Sequence, residues 1–175
     1  MTYSPIRSRF LGALLLLSTS ILAGCGDPDS VIREAAFKIA ELENSGQVPR
    51  FDQSTSVVGT DTNGNGVRDD IDAFIAEQAI SEPQKKALLQ AGRALQLMLT
   101  TPLDDKTALN RATDLGSRAM RCIYSVFKDG NASTWATKIE AITANTRQRT
   151  QRYLQYNKAI SGSVIHLPNG DTCEP

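Results

Sequence analysis

The chain has 175 residues, and its 19 basic and 19 acidic side chains give a formal net charge of zero. Its composition, 41% hydrophobic and 22% charged, is that of one ordinary globular domain and argues against wholesale disorder. The neutral charge disfavours a dedicated nucleic-acid binder, and the single histidine excludes multi-histidine metal sites. The absence of HExxH, CxxC, GxGxxG and P-loop patterns also disfavours zinc-hydrolase, thioredoxin-type and nucleotide-binding functions.

The N-terminus has the pattern of a secretory signal peptide. Arg7 and Arg9 precede an apolar run that begins at Phe10 and is too short to be taken as a membrane span. The exit from this run, Leu22 to Cys25, reads Leu-Ala-Gly-Cys and resembles the lipobox of bacterial lipoproteins. The resemblance implies cleavage before Cys25, acylation of its thiol and new amine (palmitate is a typical chain), and a lipid anchor in a membrane.

The lipobox divides the chain into three parts. Residues 1–24 are the predicted signal peptide, 25–29 a lipidated tether and 30–175 the folded domain. The expected location is the bacterial cell envelope. The outer membrane, facing the periplasm, is favoured over the inner membrane because glycine, not aspartate, follows the lipidated cysteine. The alternative is an ordinary signal peptide with a chance cysteine.

Two cysteines remain if Cys25 carries lipid. Cys122 and Cys173 would then lie in an oxidising compartment, which predicts one disulfide. Such a bond would close a loop of about fifty residues and stabilise the fold by roughly 4 kcal/mol in the chain-entropy model. The alternative is a reactive thiol, but Cys122 lies within an apolar helical pattern, which favours a structural role.

Apolar residues recur every three or four positions along most of the mature chain, which predicts helices. The first helix spans about 30–44, capped by Asp29 or Ser30, and a loop with room for a short strand at Val57–Val58 follows it. A short helix carries Ile71, Phe74 and Ile75. The remaining predicted helices are 82–100 after the cap Ser81, a helix from Asp104–Asp105 to Phe127, and a long helix 134–160 after the cap Ser133.

The tail at 164–167 has the composition of a strand. The expected fold is therefore mostly α, a single helical domain of four to five helices with a short extended C-terminal segment. The last helix has more cations than anions, a pattern typical of a solvated basic face or of a docking surface for an acidic partner. Thr146 and Arg149 interrupt its apolar stripe and are either buried polar groups or part of a groove.

The segment 61–72 reads Asp-Thr-Asn-Gly-Asn-Gly-Val-Arg-Asp-Asp-Ile-Asp. Oxygen-bearing side chains stand at positions 1, 3, 5, 9 and 12 and glycine at position 6, a spacing that suits the six to eight oxygen ligands of Ca²⁺. The segment resembles the calcium loop of EF-hands, and more closely the loop-helix half-hands of dockerin-type and related bacterial envelope proteins. The resemblance implies these ligands: Asp61, Asn63, Asn65, the Val67 carbonyl, Asp69 and Asp72.

The loop departs from the family pattern in three ways. Position 12 is Asp72 instead of glutamate, position 8 is Arg68 instead of an aliphatic residue, and no second loop is present to pair with it. A paired sensor that opens on calcium is therefore disfavoured, and the expected dissociation constant is weak, ~10⁻⁵ to 10⁻³ M. The alternative is a solvated Asp/Asn/Gly turn without a metal.

Catalytic patterns are weak. Ser125 to Lys128 matches SxxK, but the SDN and KTG motifs of penicillin-binding proteins are missing, and His166 has no GxSxG nucleophile to serve. We therefore expect no enzyme but a non-catalytic macromolecule-binding module: an adaptor, an assembly factor or an immunity-type inhibitor, with Ca²⁺ as its cofactor and a protein partner. The alternative is a small metal-dependent envelope hydrolase using Asp69, Asp70 or Asp72 with the metal as Lewis acid.

Overall fold

The computed structural model describes residues 37–38, 41–46 and 49–175. The predicted signal peptide, the lipobox cysteine and the tether lie outside the described residues, as do the two candidate caps Asp29 and Ser30. Residues 37–38 and 41–44 are helical and 45–46 form a turn, in agreement with the predicted first helix. The chain divides into two units between Val48 and Pro49, and the second, Pro49–Pro175, contains the candidate metal loop.

The second unit is helical. Its helices, in chain order, are α1 Asp69–Glu77, α2 Glu82–Thr100, α3 Lys106–Val126, α4 Ala132–Thr143 and α5 Arg147–Ala159. The residues from 49 to 175 contain no strand, so the prediction of a mostly α fold is confirmed. The possible strands at 57–58 and 164–167 were wrong, since both segments lack regular structure.

The predicted starts of α2 and α3 are also the observed ones. Ser81 precedes α2, and its backbone N–H donates to Gln84 Oε1 at 3.0 Å. Asp105 precedes α3, and its carboxylate accepts from the first free backbone N–H groups of that helix, those of Thr107 at 2.8 Å and Ala108 at 3.0 Å. Asp105 satisfies N–H groups that have no partner within their helix, and Gln84 satisfies the N–H of the residue that precedes α2.

The predicted long helix 134–160 is two helices. α4 ends at Thr143 and α5 starts at Arg147, with Thr146 as its cap: the Thr146 hydroxyl accepts from Arg149 N at 3.3 Å. The Thr150 hydroxyl donates to the Ala144 carbonyl at 2.6 Å, which satisfies an acceptor released by the break. The cap predicted at Ser133 was also wrong, because α4 starts two residues earlier, after Asn131.

α2 is the central helix, since it packs against each of the other four. The main core forms where α1, α3 and α4 meet it, and its fully buried members include Ile71, Leu88, Ile123 and Ile139. A smaller core, built from Leu109, Ala112 and Tyr156, lies between α3 and α5. The candidate metal loop, 61–72, ends in the first turn of α1 and is therefore joined directly to the main core.

The predicted disulfide is present. Cys122 of α3 and Cys173 of the tail are bonded, with their sulfur atoms 2.05 Å apart. Two hydrogen bonds fix the same part of the tail: Thr172 Oγ1 donates to Arg118 O at 2.8 Å, and Gln90 Nε2 donates to Thr172 O at 2.9 Å. The C-terminal residues are thus held against α2 and α3. Within the described part of the chain, no helix is both long enough and apolar enough to cross a membrane.

Candidate metal centre

The loop 61–72 winds tightly around the carboxylate of its first residue. Gly64 and Gly66 have φ angles of 68° and 80°, a conformation that other residues rarely adopt. These turns direct backbone N–H groups inward, so that Asp61 accepts from Asn65 N at 3.2 Å and from Gly66 N at 2.8 Å. Gly66 occupies the position at which the sequence pattern required a sharp turn.

The last residue of the loop reaches back to two of the earlier ones. Asp72, in the first turn of α1, accepts with the same oxygen from Asn63 Nδ2 at 2.9 Å and from Asn65 Nδ2 at 2.7 Å. The side chains at positions 1, 3, 5 and 12 therefore belong to one connected group. The amide N–H groups, not the amide oxygens, face Asp72, so a bound calcium ion would require both amides to turn.

The other predicted ligands have different neighbours. The Asp69 carboxylate accepts from Thr62 N at 2.9 Å and from Thr62 Oγ1 at 2.6 Å, and these two bonds lower its pKa. Asp69 therefore clamps the start of the loop to the start of α1. Val67 is buried; its N–H donates to Asn65 Oδ1 at 2.8 Å, and its methyl groups lie against Gly92 of α2.

The donor set fits a weak, hard-cation site in part. Asp61 and Asp72 supply two carboxylates and Asn63 and Asn65 two amides, the oxygen-bearing groups that Ca²⁺ prefers. In the described residues, no three His, Cys, Asp or Glu side chains form a metal-holding cluster. This is consistent with the position of Asp69, the third predicted carboxylate, on Thr62.

Arg68 anchors the loop to the rest of the unit. Its side chain is only 1% exposed and makes a two-pronged ion pair with Asp70, in which Nε lies 2.7 Å and Nη2 2.8 Å from the two carboxylate oxygens. The guanidinium also donates to the carbonyls of Ile142 at 3.0 Å and Thr143 at 3.3 Å, at the C-terminal end of α4. A cation there is favoured by the helix dipole and satisfies carbonyls without helical partners.

A second buried arginine joins α5 to the segment that precedes the loop. Arg149, completely buried, pairs with Asp52 Oδ2 at 2.8 Å and also donates to the Asp52 carbonyl and to Asn145 Oδ1. Asp52 N in turn donates to Asp70 at 2.7 Å, so the two arginine–aspartate pairs form a single network. Sequence reasoning noted Arg149 as a polar interruption of the stripe but gave no sign of its partner, which lies 97 residues away.

Part of the excess of cations in 134–160 is structural. Arg149 is buried in the network, Arg152 donates to the Leu99 and Thr101 carbonyls at the end of α2, and Lys138 lies over the rings of Phe74 and Trp135. Lys138, Arg147 and Lys158 are exposed. The basic surface open to an acidic partner is correspondingly smaller than the sequence suggested.

The two weak catalytic candidates, the Ser125–Lys128 motif and His166, lie in different parts of the unit and have different neighbours. Ser125 Oγ donates to the Cys122 carbonyl at 2.7 Å and lies 3.5 Å from the disulfide sulfur of Cys173. Lys128 and His166 are both exposed. The structure thus places Ser125 in a helical hydrogen bond and His166 in the irregular tail.

No protein-family model, no curated protein and no solved structure matches this chain.

Proposed function

We propose that the protein is a lipid-anchored component of the bacterial envelope that binds Ca²⁺ in the loop 61–72 and acts by binding another macromolecule, without catalysis. The observation that carries the calcium assignment is the connected group of Asp61, Asn63, Asn65 and Asp72 around the Gly64 and Gly66 turns. The anchor is inferred from the Leu-Ala-Gly-Cys lipobox ending at Cys25.

Calcium would have a structural role in this loop. Asp61, Asn63, Asn65, Asp72 and the Val67 carbonyl would hold it, while Asp69 would brace the site through Thr62 or join the ligands. A bound cation offsets the charge of carboxylates that the loop crowds together, and it links the start of the loop to α1. Arg68, which lies in the loop itself, donates to the Ile142 carbonyl at the end of α4. By holding the loop in place, calcium would therefore stabilise the packing of α1 against α4.

The non-catalytic assignment is supported by the hydrogen bonds and ion pairs that the candidate catalytic carboxylates make within the fold. A hydrolase using Asp69 or Asp70 would need a carboxylate directed at a substrate, but Asp69 is bonded to Thr62 and Asp70 to Arg68 and Asp52. These carboxylates serve as braces. An adaptor, an assembly factor or an immunity-type inhibitor fits a domain whose recognisable devices are all structural.

The calcium assignment predicts a thermal shift. Millimolar Ca²⁺ should raise the melting temperature of the mature chain over the value in chelator, by roughly 5 °C if the free calcium exceeds the dissociation constant about tenfold. Asp61→Ala should remove the shift, because it deletes the first ligand. Asp129→Ala is the matched control: Asp129 is also a turn carboxylate, bonded to Asn131, but it lies outside the loop. A shift that persists in Asp61→Ala would place the calcium elsewhere.

Crosslinking in cell envelopes tests the binding function. The anchored protein, crosslinked and recovered in calcium or in chelator, should bring down one stoichiometric partner. Cys25→Ser should release the protein from the membrane fraction and lower the yield of that partner, because the anchor sets where the two meet. Recovery of the protein alone under both conditions would count against a macromolecule-binding role.

A further inference from the structure

A half-open pocket of about 310 Å³ lies between α2, α3, α4, α5 and the tail that follows α5. This volume is at the lower end of the range of ligand-binding pockets, roughly 300–1,000 Å³. Most of the wall is aliphatic: Leu95 and Met98 come from α2, Met120 from α3, and Ile165 and Leu167 from the tail. The size and lining suit one apolar chain or a small apolar body.

The mouth of the pocket continues into exposed apolar surface. Met120, Ile165 and Leu167 are 39%, 52% and 65% exposed although they line the pocket. Large apolar side chains gathered at one concave place are a feature of binding sites. The tail that carries two of them is fixed at its far end by the Cys122–Cys173 disulfide, so this wall is built into the fold.

One side of the pocket is suited to a cation. Glu140 is the charged side chain among the described lining residues, and it lies beside Tyr153. Burial, and then the nearby negative charge of Glu140, raise the pKa of Tyr153. A carboxylate beside tyrosine rings attracts cations through both charge and ring faces. The Tyr156 hydroxyl is already hydrogen-bonded to Thr113 Oγ1 at 2.7 Å, so it needs no hydrogen bond from a ligand.

We propose that this pocket binds a small amphiphile with a single apolar chain and a positively charged ammonium head, the chain against Leu95, Met98 and Met120 and the head beside Glu140. An anionic amphiphile of the same chain would meet the Glu140 carboxylate and be repelled. The proposal goes beyond the envelope-binding function above, and it requires neither the calcium loop nor the lipid anchor.

Titration calorimetry on the oxidised mature chain tests the pocket with three ten-carbon probes below their micelle concentrations. The probes are decyltrimethylammonium, decyl maltoside and decyl sulfate, which differ only in the head. We expect one site, with the ammonium probe binding about tenfold more tightly than the maltoside, as a carboxylate and aromatic faces favour a partly desolvated cation. The sulfate should bind most weakly.

Three variants separate the head from the chain. Glu140→Gln should bring the ammonium probe to within about twofold of the maltoside, because the carboxylate is the source of the preference. Met120→Lys should weaken the ammonium and maltoside probes by about tenfold or more, since it places a positive charge in the apolar wall. Tyr124→Lys, one turn further along α3, adds the same charge at a 53% exposed residue outside the pocket and should leave binding unchanged. Circular dichroism verifies that all three variants remain folded.

Several outcomes would overturn the proposal. Absence of saturable binding would show that the pocket has no amphiphile site, and equal affinity for all three probes would remove the ammonium preference. Sedimentation tests a second copy as the occupant: a dimer that Met120→Lys disperses and Tyr124→Lys retains would assign the apolar surface to self-association. A monomer that binds the ammonium probe is the expected result.

Discussion

Two arginine side chains, Arg68 and Arg149, are almost completely buried in the unit formed by residues 49–175. Each guanidinium is bonded to an aspartate and to backbone carbonyls, so the cost of removing its charge from water is offset by charge-assisted hydrogen bonds. Removing one partner of such a pair leaves an uncompensated charge and costs roughly 3–5 kcal/mol. The surroundings of these two residues should therefore tolerate little change.

Gly59 is the residue at which this intolerance is most easily tested. Its φ is 70°, and a β-carbon there would overlap Arg68 Cδ and come within 2.9 Å of the Asp52 carboxylate. Gly59→Ala should therefore lower the free energy of unfolding, measured in urea, by about 3 kcal/mol. Gly130→Ala is the control, because its φ is 82° but open space surrounds it; only the conformational cost, about 1 kcal/mol, is expected. Equal losses would mean that Arg68 moves aside freely.

At the scale of elements, α5 is held by its arginines more than by an apolar face. Its buried residues are Arg149 and Tyr156, while Leu154 is 60% exposed. Arg152 closes the end of α2 by donating to the Leu99 carbonyl at 2.8 Å and to the Thr101 carbonyl. These carbonyls have no partner in their own helix, and a cation near them is favoured by the helix dipole.

Arg152→Gln tests this contact between α5 and α2. The shorter neutral side chain cannot span both carbonyls, and we expect the free energy of unfolding to fall by about 2 kcal/mol. Arg147→Gln removes the same charge from an exposed position of α5 and should change it by less than about 0.5 kcal/mol. If both variants lost the same amount, net charge would be responsible and the helix-end contact would contribute little.

The helices themselves were largely predictable because their signals are local. Pro83 and the caps Ser81 and Asp105 mark helix starts, and the apolar spacing marks the buried faces of α2 and α3. The break between α4 and α5 was missed because the spacing of four and three continues through it, from Ile142 to Tyr153. A break between two helices cannot be detected from apolar spacing when the spacing is the same on both sides of it. The signal that could have revealed this break is Thr146, since threonine often caps the start of a helix.

In the unit as a whole, the Asp52–Arg149 pair and the bonds from Arg68 to the end of α4 connect residues that are far apart in the sequence. Asp52 precedes the loop, Arg68 and Asp70 lie in its last five residues, and Arg149 lies in the last helix. Such pairings cannot be read from spacing, because each partner looks like an ordinary surface charge in its own segment. The Cys122–Cys173 bond was predictable only because a single pairing remained once Cys25 was assigned to lipid.

The network makes the stability of the unit sensitive to acid. Burial acts to raise the pKa of Asp52, but hydrogen bonds from Ser54 and the pairing with Arg149 outweigh it and hold the pKa at about 2, below the ordinary 3.8. Because the pKa falls on folding, this carboxylate stabilises the fold fully above the unfolded value. The contribution is lost as the pH falls from 3.8 through about 2.

Asp52→Asn retains a side chain that can hydrogen-bond and removes only the charge, so it should be less stable than the wild type at pH 5 by on the order of 2 kcal/mol, with the difference shrinking towards zero by pH 2. Urea unfolding across this range measures the difference directly. Asp104→Asn, at an exposed carboxylate between α2 and α3, should follow the wild-type curve. A constant gap between Asp52→Asn and the wild type at every pH would mean that Asp52 acts by shape and hydrogen bonding and not by its charge.

The disulfide also determines how usable protein can be made. Residues 161–171 run without helix or strand from the end of α5 to the anchored Thr172 and Cys173. A chain expressed in a reducing cytosol would lack the bond, and Ile165 and Leu167 would lose the attachment that keeps them beside Met120. Such material would retain its helices yet offer loose apolar side chains to chaperones and to other copies. Preparations for ligand titration should come from an oxidising compartment or be reoxidised after purification.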